Sequence, residues 1–222
     1  MSSPNSRFEE LLSIIRSLKE ISTIIFGLAL TNTIVQFLLV DGKVKDVNEI
    51  TFLSVLIFAL LVINNIRFFH GNFRHLDLTY SSSEKTTIGD SKLHAKGEKV
   101  SLDFFIIIGE SLILSAISFY QIRPLYFFYL MTLLLIVDVI WFLGTYQYTL
   151  DKKIFNHQRI WAMNNVIVIF LMLAIYSFST SIDQEILPYI FSIILAINTI
   201  VDYRVNWNFY FPIPISEKQN GE

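Results

Sequence analysis

The chain has 222 residues, of which 53% are hydrophobic, 15% aromatic and only 16% charged. A globular protein usually carries about 25% charged residues, and a single core of this size could not hide so much apolar surface from water. The net charge of −2 gives no reason to expect nucleic acid as a partner, and the absence of cysteine excludes a disulfide scaffold, thiol catalysis and Cys-ligated metal. The composition is that of a protein crossing a membrane several times.

Residues 1–20 precede the first apolar run. Phe8, Leu11, Leu12, Ile15 and Leu18 share one helical stripe, and Ser6 and Glu9 have the spacing of a capping box. The expectation is an amphipathic helix on the membrane surface, with docking to a partner as the alternative. Six apolar segments follow, at about 21–40, 50–69, 102–121, 124–148, 160–182 and 186–210. Each approaches or exceeds the ~20 residues that a helix needs to cross a hydrocarbon core about 30 Å thick. Runs such as Phe104-Phe105-Ile106-Ile107-Ile108 do not alternate polar and apolar residues, so barrel strands are excluded and helices expected. A polar loop at 71–101 separates the second span from the third, and a tail follows Pro212.

Six spans put both termini on one side. That side carries all but three of the 17 Lys and Arg residues; the exceptions are Lys43, Lys45 and Arg123. The positive-inside rule therefore places both ends in the cytoplasm.

The depth of each polar residue is the most informative quantity, because ionisable groups are costly inside a bilayer. Glu110 and Asp138 are expected about 12–15 Å from the cytoplasmic edge, at ~1.5 Å per residue. No span places Lys or Arg at that depth, so each acid must be protonated, bind a cation or face a hydrated cavity. Asp103 lies two turns from Glu110 on the same face, beside Ser111, Ser115 and Ser118. Asn64, Asn165, Asn198 and Asp202 gather towards the inner ends of their spans, with Asn32 as an outlier on the first. Joined together, these residues would draw a polar route across the membrane. The alternative is a hydrogen-bonded network that only ties helices together.

His70, His75 and Asp77 offer imidazole and carboxylate ligands for a divalent metal ion, provided that the chain turns at Gly71-Asn72. No Gly-x-Ser-x-Gly, Walker loop or dinucleotide fingerprint is present. The sequence thus predicts an all-α bundle of six transmembrane helices in the lipid bilayer. A channel or transporter for cations or protons is the leading expectation, with a cytoplasm-facing cavity built on Glu110, Asp138 and Asp202. So narrow a protein is expected to form a homo-oligomer. The alternatives are a membrane-embedded, metal-dependent hydrolase or transferase acting on a lipid or nucleotide-like substrate, and a non-catalytic membrane subunit.

Overall fold

The computed structural model describes residues 4–40, 42–80, 90–121, 123–146, 152–179 and 182–211. Six long helices form in chain order: α1 (Pro4–Leu38), α2 (Phe52–Thr79), α3 (Asp90–Phe119), α4 (Pro124–Thr145), α5 (Lys152–Ser177) and α6 (Leu187–Val205). A four-residue helix, α7 (Trp207–Tyr210), follows the last. All six long helices are long and apolar enough to cross a membrane. The protein is therefore a multi-pass membrane protein. The only strands among the described residues are β1 (Leu39–Val40) and β2 (Lys43–Val44), a small antiparallel hairpin between α1 and α2. Gly42 in its turn has φ +75°, a conformation that glycine adopts without strain.

Local chemistry sets several helix ends. The Thr51 hydroxyl accepts from the Ser54 N–H at 3.1 Å and caps α2. Pro124 and Pro188 sit in the first turns of α4 and α6, where a missing N–H costs nothing.

The helices close a ring in the spatial order α1, α3, α4, α5, α6, α2 and back to α1. Within it α2 and α6 run the same way at a constant offset, pairing Asn64 with Thr199 and Arg67 with Asp202. With the half bearing the β-hairpin termed outer and the half bearing the chain termini inner, the outer half is filled by an apolar plug that includes Leu61, Leu114, Phe127, Phe128, Met131 and Phe191. The inner half contains the polar residues.

Three expectations change. First, α2 continues to Thr79 without a turn at Gly71-Asn72, so Arg67, Asn72 and His75 all project from one uninterrupted helix. Tyr210 packs its ring over Gly71 at that point. Second, much of the expected polar loop is helical, because α3 begins at Asp90. Third, the N-terminal segment is continuous with the first span. Its stripe of Leu11, Ile15 and Leu18 packs on Leu76, Tyr80, Val100 and Ile107 of the inner bundle. Burial against α2 and α3 removes more apolar surface from water than an interfacial position would. The Ser6 and Phe8 side chains, the loop around Lys85 and the tail from Pro212 lie outside the described residues.

Candidate functional site

The inner faces of five helices carry the candidate site. On α2, Asn64, Arg67 and His75 recur at helical spacing, and Asn72 joins them one turn before His75. Asp103 and Glu110 come from α3, Asp138 and Trp141 from α4, Gln158 and Asn165 from α5, and Asn198 and Asp202 from α6. All are buried.

Arg67 is the hub. Its guanidinium is fully buried and donates to Asp202 Oδ2 (2.7 Å), Asn198 Oδ1 (2.5 Å) and Asn165 Oδ1 (3.2 Å). The sequence reading places no base at the depth of the two acids, and it is wrong on this point. A fixed fork of five N–H donors is well suited to gathering several oxygens in a low-dielectric interior. Asp202 is saturated by the same network: Tyr210 donates its hydroxyl to Oδ2 and Asn206 its amide to Oδ1, each at 2.7 Å. Burial beside Asp202 pushes the Tyr210 hydroxyl well above its ordinary pKa, so it remains a proton donor at any physiological pH.

Asp103 anchors a second cluster nearer the inner end. Trp141 donates its indole N–H to Oδ1 (2.8 Å), and Tyr80 its hydroxyl to Oδ2 (2.7 Å). His75 Nε2 lies 3.3 Å from the same Oδ2, while its Nδ1 meets Gln158 at 3.2 Å. Lys99 is buried beside His75 and Asp103. Tyr80 also stays protonated, its pKa raised by burial and by the neighbouring Asp103.

Glu110 and Asp138 differ from these two acids. Asn72 donates to Glu110 Oε2 at 2.8 Å, and Asn165 donates to Asp138 Oδ2 at 2.9 Å. The two carboxyl groups are close enough across the α3–α4 interface to interact electrostatically. The second oxygen of each, Glu110 Oε1 and Asp138 Oδ1, is buried without a donor among the described residues. Two neighbouring carboxylates in a low-dielectric interior repel each other, and neither bare oxygen has a donor to offset that repulsion. One proton shared between them would satisfy both orphan oxygens.

Two voids adjoin this core, each of about 10 Å³. The outer is lined in part by Asp138, Asn165, Trp161 and Gln158, and the inner in part by Gln158, Trp161, His75 and His157. Each has roughly the room of one water molecule. Two water-sized spaces thus lie in the half where a cavity is expected. Asn32 lies apart from this cluster. Asn32 donates to Ser118 at 2.7 Å, and the apolar plug separates that pair from Glu110.

The metal-ligand expectation also needs correction. His70 packs against Tyr210 and Phe211, His75 faces Asp103, and Asp77 pairs with Lys19 of α1. A straight helix points residues 70 and 75 to different sides, so the three do not converge. No group of three His, Asp or Glu among the described residues could hold a metal ion. Sequence reasoning missed the roles of Arg67, Asn72, Tyr80, Gln158 and Tyr210. An uninterrupted helix through Gly71 would have revealed the first two.

Comparison with family models, with curated proteins and with solved structures gives no match.

Proposed function

We propose that this membrane protein is a proton-linked transporter in which Glu110 and Asp138 form the exchangeable proton site. The observation that carries the reading is the pair of buried carboxyl groups, each bonded by one amide and each with an orphan oxygen. Such a pair holds one proton and can gain or lose another without dismantling its amide contacts. Water-sized voids suit proton hopping and are too small for a hydrated ion. A closed outer plug requires a change of helix packing during the cycle, which favours a transporter over an open pore. The Arg67–Asp202 pair is the fixed charge around which that change occurs. The distribution of basic residues supports a cytoplasmic location for the inner half.

The gap between Glu110 and the inner surface is bridged by His75, Gln158 and His157, with the two voids between them. His157 is half-buried and lies 3.2 Å from Asn206 at the edge of the inner void.

Reconstitution into vesicles with a trapped pH-sensitive dye and an imposed pH step tests the proposal. The native protein should carry protons, and Glu110→Gln and Asp138→Asn should each lower the flux at least tenfold. Native-rate flux in both variants would remove the acid pair from the mechanism. With His70, His75 and Asp77 apart, no observation favours the metal-dependent enzyme.

A further inference from the structure

A groove of about 480 Å³ runs along the outer surface between α2 and α6. Its volume lies within the ~300–1,000 Å³ range of small-molecule sites. One end is aliphatic, lined by Leu60, Ile63, Ala196 and Ile200. The other carries Tyr203, Arg204 and Trp207. From Ala196 to Arg204 is eight residues of α6, about 12 Å along the axis.

The two ends ask for different chemistry. Ile63, Ile200 and Trp207 are all exposed, at 44%, 65% and 55%, on a lateral face of the bundle, where a bilayer would supply acyl chains. Arg204 is exposed in the last turn of α6, and among the described residues it has no ion-pair partner. Among the described residues the carboxylate nearest in sequence, Asp202, points into the core and is saturated by Arg67, Asn206 and Tyr210. An aromatic pair flanking a free cation at the membrane edge, with an apolar trough leading inward, is complementary to an anionic headgroup carrying a chain.

We infer that this groove binds an anionic phospholipid of the inner leaflet, with its phosphate at Arg204 and one acyl chain laid along Leu60, Ile63 and Ile200. Tyr203 and Trp207 border the headgroup. Thr199 links the groove to the interior: it lines the groove wall and also donates to Asn64 Oδ1 at 3.4 Å, next to Arg67. The site rests on the lateral surface alone and stands whether or not the acid pair carries protons.

Quenching of tryptophan emission by brominated lipid in reconstituted full-length protein tests this directly. Brominated phosphatidylglycerol should be compared with brominated phosphatidylcholine, each as a tenth of otherwise unbrominated vesicles. Trp207→Phe identifies the contribution of the groove. One basic side chain near a membrane surface corresponds to roughly fivefold enrichment of anionic over zwitterionic lipid. The Trp207 signal should show that preference in the native protein, keep it in Arg204→Lys and lose it in Arg204→Gln. Arg204 is exposed, so neither variant threatens folding. Equal quenching by both lipids would overturn the site as an anionic one, as would a preference surviving in Arg204→Gln. Quenching by neither would show the groove covered by something other than lipid, such as a second copy of the chain, and would equally overturn it.

Discussion

The four deep acids fall into two kinds. Asp202 and Asp103 have both oxygens saturated, the first by Arg67, Asn206 and Tyr210, the second by Trp141, Tyr80 and His75. Glu110 and Asp138 each have one amide donor and one bare oxygen. The contrast separates structure from chemistry. A saturated carboxylate is locked in its bonding, with no bare oxygen left for another donor. A half-saturated pair can change its proton count while its neighbours stay in place. Under the proposed function, burial alone does not mark the working acids of this bundle; the incompleteness of their bonding does.

The largest expected effect comes from breaking the saturated set. Asp202→Asn leaves the Arg67 guanidinium buried without its counter-charge and should cost about 3–5 kcal/mol of stability. Arg67→Met should cost about as much by stranding Asp202. Denaturant titration in bicelles measures both. Replacing the two together with Met and Leu should recover most of the loss, since apolar side chains of similar volume need no compensation. A double variant as unstable as either single would show that Arg67 acts through Asn165 and Asn198 instead.

How much of this was legible in the sequence depends on the type of signal. The six spans were, because twenty apolar residues in a row have few other uses. The depths of Glu110 and Asp138 were also legible, since depth follows from counting along one helix. Arg67 was not. Counting from the end of the apolar run put it at the membrane edge, whereas α2 runs twelve residues further and carries it into the core. The cue that misled was Gly71-Asn72, which reads as a turn and is in fact mid-helix. Contacts between distant segments were wholly hidden: nothing in the spacing of Trp141 and Asp103 announces a hydrogen bond between α3 and α4. The expected metal site depended on the same turn, and the continuous α2 keeps His70, His75 and Asp77 on different neighbours.

Within the saturated set a milder break is available. Trp141→Phe keeps most of the ring that packs edge-on against His75 at 4.7 Å and removes only the indole N–H to Asp103. Asp103 retains Tyr80 and His75, so the loss should be about 1–3 kcal/mol, the usual range for a buried acceptor stripped of one donor. The same titration reads it. A loss as large as that of Asp202→Asn would mean that the indole is the principal support of Asp103.

The smallest effect should come from the half-saturated pair, and it sharpens the contrast most. Asp138→Asn is the same chemical change as Asp202→Asn at a similarly buried position. With one proton already shared, the pair carries a single negative charge. The substituted amide leaves that charge on Glu110. It can donate to Glu110 Oε1, where the shared proton stood, while its oxygen continues to accept from Asn165. Stability should therefore change by less than about 1 kcal/mol, although proton flux collapses. Glu110→Gln should behave alike, with Asn72 still donating to the remaining carbonyl oxygen. If Asp138→Asn proves as costly as Asp202→Asn, the pair does not share a proton in the resting protein. The distinction between locked and exchangeable acids would then lose its footing.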